Sequence, residues 1–254
     1  MNTSSNGYVM GFAVTVCVVI SAALAMTANA LKPIQEGAAE FDRQKNVMVA
    51  AGLAKPDDTR TRPELEQLYK DRVSEVVVDV KTGEVKAGKG QGDVAALNKE
   101  AVKADKNDKD AATRFRAVAI AKGADGKPDS YVLPISGKGL WSTIYGYLAL
   151  EGDLVHVRGV TFYKHGETPG LGGECESPVW CAQWKGKSIL DEQKKLVGVG
   201  VKKGKVDAAI PAEKAHKVDG LSGATITSNG ITNFVKKDLA SFDLYLAALR
   251  GKHN

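Results

Sequence analysis

The segment Asp219-Gly220-Leu221-Ser222-Gly223-Ala224-Thr225 places two glycines and two hydroxyl side chains within seven residues. The apolar residues that follow are spaced by three and four, which is typical of a helix. A helix N-terminus is therefore predicted at or just after this segment, and its free N–H groups and dipole favour a phosphate. An ordinary glycine turn with a serine or threonine N-cap is the alternative interpretation. The spaced apolar residues are Ile231, Phe234, Val235, Leu239, Phe242, Leu246 and Leu249.

The overall composition is that of a globular protein. The chain has 254 residues, of which 43 % are hydrophobic and 26 % charged, with a formal net charge of +5. No basic stripe with interleaved aromatic residues is present, so no nucleic-acid partner is predicted. No metal-binding spacing of cysteine and histidine occurs, so no metal site is predicted. Cys175 and Cys181 can pair in an oxidising compartment or remain separate thiols, and both interpretations stay open.

The N-terminal 31 residues carry no charged side chain, and residues 8–26 are almost wholly apolar. This run has roughly the 20 residues that a membrane-spanning helix needs. A cleaved signal peptide ending at Ala28-Asn29-Ala30 is the alternative, but the run is longer than the usual apolar core and no positive residue precedes it. An uncleaved anchor is therefore favoured.

The predicted organisation follows from this anchor. Residues 1–31 form the anchor, with a helix at about 8–28, and residues 32–254 form one soluble domain. Lys32, Arg43 and Lys45 follow the apolar run, so the positive-inside rule places the C-terminal side in the cytoplasm.

Short apolar and β-branched runs predict strands through the middle of the chain. A hairpin-like turn is predicted at Glu151-Gly152-Asp153, and Ser136-Gly137-Lys138-Gly139 is predicted to end a strand. Because helical patterns precede and follow the strands, the predicted fold class is α+β, an antiparallel sheet flanked by helices, with one N-terminal transmembrane helix. The predicted strands are residues 73–80, 115–121, 131–135, 144–150, 155–163 and 196–201.

Segment 219–225 is similar to the D-G-x-S/T-G-A-T signature of proteins that carry FMN as a phosphoester on the final threonine, and every fixed position of that signature is filled. A second segment, His165-Gly166-Glu167-Thr168-Pro169-Gly170-Leu171-Gly172-Gly173-Glu174, has four glycines in ten residues and predicts a loop with special backbone geometry. It either forms a wall of a flavin site, with Leu171 on a ring face, or is a surface loop that closes a strand.

A third segment, Gly139-Leu140-Trp141-Ser142, places an aromatic residue beside a glycine. Trp141 either flanks a flavin or belongs to the core. Together with the anchor and the Gln44-Lys45-Asn46 helix that ends at Ala51-Gly52-Leu53, the three glycine-containing segments resemble the C subunits of the sodium-translocating NADH:quinone oxidoreductase.

The resemblance implies that Thr225 carries FMN covalently and that a separate flavin transferase attaches it. The rest of segment 219–225 is then the recognition segment for that transferase and part of the phosphate cradle. The implied site residues besides Thr225 are Asp219, Gly220, Ser222, Gly223, Ala224, Glu167, Thr168, Leu171, Gly172 and Trp141.

The same resemblance implies a protein that is not catalytic alone and relays electrons towards quinone within a complex of six subunits, coupled to sodium export. It places that complex in the bacterial inner membrane with the soluble domain in the periplasm, which conflicts with the positive-inside count. The flavin-carrying G subunit of the Rnf ferredoxin:NAD oxidoreductase is one alternative. A membrane-anchored periplasmic binding protein without flavin is another.

Overall fold

The computed structural model describes residues 5–253. The chain divides into two compact units, Met1–Arg43 and Gln44–Asn254.

Helix α1, Asn6–Ala50, dominates the first unit and continues into the second. Within the described residues, it is the one helix long and apolar enough to cross a membrane. The domain boundary predicted after residue 31 falls inside this continuous helix. Charged side chains from Lys32 onward change the polarity of the helix surface but leave its backbone hydrogen bonding intact.

The second unit is built on one six-stranded antiparallel sheet with strand order β2-β1-β3-β4-β5-β6. The strands are β1 Val73–Asp79, β2 Val85–Lys86, β3 Phe115–Lys122, β4 Pro128–Lys138, β5 Thr143–Glu151 and β6 Val157–Lys164. A separate parallel pair is formed by β7 Gly200–Val201 and β8 Lys217–Val218. The helices after α1 are α2 Arg62–Arg72, α3 Val94–Ala104, α4 Pro178–Ala182, α5 Pro211–His216, α6 Thr225–Ser241 and α7 Asp243–His253. This is the predicted α+β arrangement.

Helix α6 packs on the face of β4 at two glycines. A Cβ atom on Gly137 of β4 would lie 2.2 Å from Cβ of Phe234, and one on Gly230 of α6 would lie 2.3 Å from the Lys138 carbonyl oxygen. Both distances are far inside van der Waals contact, so glycine lets helix and strand approach closely. An ion pair between Arg116 and Asp238, 2.7 Å long, also joins α6 to the sheet.

The core lies between the sheet and the helices on this face. Phe162 of β6 is its aromatic centre, with Trp180 and Trp184 at ring-centroid distances of 5.8 and 5.9 Å. Aromatic pairs at such distances stabilise a core beyond their buried area. The largest fully buried side chains of the unit include Trp184, Phe242, Met48, Leu133, Ile135, Leu148, Ile231 and Leu239.

Two predicted strand boundaries are wrong. Strand β4 does not end at Ile135 but runs to Lys138, because Gly137 accommodates Phe234 and does not break the strand. Of the strand predicted at 196–201, the structure has only Gly200–Val201, which is β7. Gly198 adopts a φ of +69°, which an extended strand excludes.

The single C-terminal helix suggested by the apolar spacing is two helices. The chain turns at the buried Phe242, which separates α6 from α7. Just before the break, the Ser241 hydroxyl donates to the Asp238 carbonyl at 2.7 Å, and such side-chain bonds compete with the helical backbone ladder.

Candidate functional site

Helix α6 begins at Thr225, so the glycine-rich segment lies directly before a helix N-terminus, as predicted. The N-cap residue is Ala224, and no side chain caps the helix. The interpretation of this segment as an ordinary serine or threonine cap is therefore wrong. The N–H groups of the first turn have no partner within the helix, and the exposed Thr225 lies among them. This arrangement suits a phosphate group.

The glycine-rich segment and the first turn of α6 contain four hydroxyl side chains, which differ in exposure. Thr227 is buried and donates to Glu167 over 2.7 Å, and Ser228 is buried and accepts a backbone N–H at 3.2 Å. Ser222 and Thr225 are exposed. Of these two, Thr225 is the one that belongs to the helical turn with unpaired N–H groups.

Asp219 fixes the start of the segment through three contacts. Its backbone N–H donates to Oε1 of Gln183 at 3.0 Å, and its carbonyl accepts from Nε1 of Trp180 at 2.8 Å. Its carboxylate accepts the N–H of Val206 at 2.7 Å. At the next residue, Gly220, a Cβ would lie 2.3 Å from the Lys202 carbonyl oxygen, so only glycine fits there.

The loop of residues 165–174 contacts the glycine-rich segment. Gly223 has a φ of +68°, and a Cβ there would lie 2.7 Å from Cδ2 of Leu171. The carbonyl of Thr168 holds the loop closed by accepting the N–H groups of Leu171 and Gly173 at 3.1 and 2.9 Å. The two segments predicted to form a flavin site are therefore neighbours.

The Glu167 carboxylate, which belongs to segment 165–174, binds both segment 139–142 and the first turn of α6. Its Oε1 accepts the N–H groups of Trp141 and Ser142 at 2.9 and 3.1 Å, and its Oε2 accepts that of Leu140 at 3.2 Å. Oε2 also accepts the Thr227 hydroxyl at 2.7 Å. Glu167 is 5 % exposed, so its oxygens face the interior. This carboxylate, with its bond to Thr227, is called the Glu167 clamp below.

Glycines from two segments make room for the Glu167 clamp. A Cβ on Gly139 would lie 2.6 Å from Oε1 of Glu167. A Cβ on Gly172 would lie 2.7 Å from Oγ1 of Thr227 and 2.9 Å from Oε2 of Glu167. Part of the glycine content of segments 139–142 and 165–174 is thus required by one buried carboxylate.

Burial alone would raise the pKa of Glu167, because an ionised carboxylate loses solvation. The Thr227 hydroxyl and the three backbone N–H groups outweigh this effect, and the pKa of Glu167 lies below its ordinary value. The carboxylate is therefore ionised at neutral pH.

Three apolar side chains of the site region are exposed. Trp141 is 67 % exposed, Ile226 59 % and Leu171 44 %. The interpretation of Trp141 as a core residue is therefore wrong. Ile226 follows Thr225 in the chain, and Leu171 contacts Gly223. Exposed apolar surface beside an uncapped helix N-terminus fits a ligand with a phosphate at one end and an aromatic ring at the other, as FMN has.

The prediction missed Thr227, whose hydroxyl ties the first turn of α6 to the loop. No local pattern marks this residue, since its partner Glu167 lies 60 positions earlier. Cys175 and Cys181 are separate thiols, and the Cys181 thiol donates to the Cys175 carbonyl at 3.3 Å.

Comparison with known proteins points to the part of the chain that contains the candidate site. Residues 139–240 match the family model for the FMN-binding domain, and all eleven predicted site residues lie in this range. The chain is 39 % identical to the C subunit of the Na(+)-translocating NADH-quinone reductase of Pseudomonas aeruginosa, over 98 % of each chain. It belongs to the family of these C subunits. It is also 35 % identical to the C subunit of the Yersinia pestis enzyme, over 91 % of this chain and 88 % of the relative.

Solved structures agree with this family assignment. The C subunit from Parabacteroides distasonis superposes with a TM-score of 0.66 at 26 % identity, covering 85 % of this chain and 96 % of the other. The Shewanella oneidensis protein gives 0.69 at 29 % identity, covering 84 % and 99 %. The resemblance to the C subunits and the predicted fold class are thus confirmed. The protein is a subunit of an oxidoreductase complex and contains an FMN-binding domain.

Proposed function

We propose that this protein carries FMN as a phosphoester on the Thr225 hydroxyl and relays electrons towards quinone within a complex that exports sodium. The observation that carries the proposal is the exposed Thr225 hydroxyl at the first residue of the uncapped helix α6. The competing hydroxyls of Thr227 and Ser228 are buried and already hydrogen-bonded. Thr225 therefore combines an accessible oxygen with a site for the phosphate.

The residues around Thr225 have separate roles in this proposal. The N–H groups of the first turn of α6 hold the phosphate, and Gly223 lets the backbone approach it. Trp141, Leu171 and Ile226 offer apolar surface to the ring. When bound, FMN supplies a ring system that takes up and releases electrons singly or in pairs, and the protein determines its placement and its electrostatic surroundings.

Segment 219–225 is the proposed recognition segment for the flavin transferase. Ser222 and Gly223 are exposed and accessible to another protein. Asp219, Gly220 and Ala224 fix the conformation of the segment through the contacts described above. Thr168 and Gly172 contribute in the same way, by holding the loop that carries Leu171.

The proposed location is the bacterial inner membrane, with α1 as the single span, the second unit in the periplasm, and the protein as one of six subunits of the complex. The length and apolar composition of α1 support the span. A C-terminal fusion to a phosphatase that is active only in the periplasm tests the orientation. An active fusion is expected, and an inactive but stably produced fusion contradicts the periplasmic location.

Intact-mass measurement of the full chain from its own host tests the covalent flavin. The expected mass exceeds that of the polypeptide by one FMN less one water, and the denatured band fluoresces under ultraviolet light. Thr225→Ala is expected to lose both signals with a change in stability within about 0.5 kcal/mol, because the side chain is exposed. Asn233→Ala, at an exposed position two turns further along α6 and outside the recognition segment, is the matched control and retains both.

Two results contradict the proposal. A bare polypeptide mass for the wild-type chain rules out covalent FMN. Covalent flavin that persists in Thr225→Ala shows that another residue is the attachment site.

A further inference from the structure

Glu167 places a negative charge in the interior beside the first turn of α6. The residue is 5 % exposed, and its two carboxylate oxygens accept three backbone N–H groups and the Thr227 hydroxyl. Among the described residues, no lysine or arginine forms an ion pair with it. Dipoles therefore stabilise this charge, but no opposite charge cancels it.

The charge lies close to the proposed attachment site. Thr227, which donates to Glu167 at 2.7 Å, is two residues beyond Thr225 in the same helical turn. The loop that carries Glu167 also carries Leu171, which contacts Gly223 before the attachment residue. The carboxylate is thus held against the first turn of α6, and its loop also contacts the segment just before Thr225.

We infer that Glu167 is a positioning residue with an electrostatic role, whose fixed negative charge lowers the reduction potential of the flavin at Thr225. This inference rests on the proposed function. It assigns Glu167 a role through the field it creates, and not through contact with the flavin.

The physical basis is Coulombic. A charge away from water is screened less by solvent and salt than one on the surface. Adding an electron to a group near a fixed negative charge costs more free energy, so the reduction potential falls. The site is built for a carboxylate, because Gly139 and Gly172 leave room for its oxygens and no side chain at either position would fit.

Glu167→Gln in the full chain with its flavin attached is the direct test. Glutamine keeps the size of the side chain and removes the charge. The expected result is a more positive midpoint potential of the flavin in a spectroelectrochemical titration, with the covalent FMN still present by intact mass. An unchanged or more negative potential overturns the inference.

Thr227→Val separates charge from packing. Valine removes the hydrogen bond to Glu167 but leaves the carboxylate in place, so the potential is expected to stay the same or become more negative. At alkaline pH, where the carboxylate stays ionised without this hydrogen bond, a positive shift in Thr227→Val overturns the inference by itself, even where Glu167→Gln does not fold. Thr227→Ser keeps the hydroxyl and is expected to keep the wild-type potential.

Thr232→Val is the matched control on the same helix. The Thr232 hydroxyl accepts the N–H of Val201 at 2.8 Å and donates to the Ser228 carbonyl at 3.0 Å, away from Glu167. This variant loses a comparable hydrogen bond and is expected to keep the potential. Absence of FMN from the wild-type chain overturns the proposed function as well, whereas an unchanged potential in flavin-loaded Glu167→Gln overturns this inference alone.

Discussion

Replacement of Gly137 by alanine tests the close packing of α6 on the sheet. The new Cβ would lie 2.2 Å from Cβ of Phe234, whereas ordinary contact begins at 3.4 Å. Phe234, and with it α6, must therefore move by about 1.2 Å. Overpacking of this kind costs about 1–3 kcal/mol, and a displacement of a whole helix belongs near the upper end. For a chain of this size, about 3 kcal/mol corresponds to a melting temperature lowered by roughly 6–12 °C.

Thermal unfolding of the full chain in mild detergent, followed by tryptophan fluorescence, measures this change. Gly92→Ala is the matched control, because a Cβ there meets no atom within 4 Å and the residue does not have a positive φ. That variant is expected to melt within about 2 °C of the wild type. A Gly137→Ala protein that melts as high as Gly92→Ala refutes the packing argument.

Two further predictions concern titratable groups in the second unit. Burial raises the pKa of Asp79, but hydrogen bonds from Arg114 outweigh it, so the pKa is lowered. Ionised Asp79 therefore stabilises the fold at any pH above its pKa in the unfolded chain. This stabilisation is lost as the pH falls through its lower pKa in the folded chain. The melting temperature should fall as the pH is lowered below about 4, and this fall should be smaller in Asp79→Asn. An equally large fall in the variant contradicts this. Burial raises the pKa of Cys175 and of Cys181 to about 12, so both should resist alkylation at pH 8 until urea unfolds the chain. Rapid labelling of either thiol in the native protein contradicts this.

The sheet could be predicted because alternation and turn residues are local signals. Gly137 shows the limit of such signals, since it resembles a strand breaker in sequence but serves a contact with Phe234. The contact joins residues that are distant in the chain, and no local pattern encodes it. Helix α1 shows a different limit. Hydropathy reflects the surroundings of a helix and not its length. The hydropathy of the sequence changes near Lys32, whereas the helix continues to Ala50.

The candidate site could be located but not assembled from the sequence. Each of the three glycine-containing segments is conspicuous by itself, and the structure brings them together. Glu167 was predicted as a flavin-site residue, and its oxygens bind the backbone N–H groups of segment 139–142 and the Thr227 hydroxyl of α6. Only the fold shows which direction a side chain in a loop takes.

The Glu167 clamp has a consequence for protein engineering. Glu167 and Thr227 come from different segments, and Gly139 and Gly172 are small because the carboxylate fills the space beside them. A chimaera that exchanges one of these loops with an unrelated scaffold breaks the set, since a larger residue at either glycine displaces the carboxylate. The four residues are therefore one module, which has to be transplanted together.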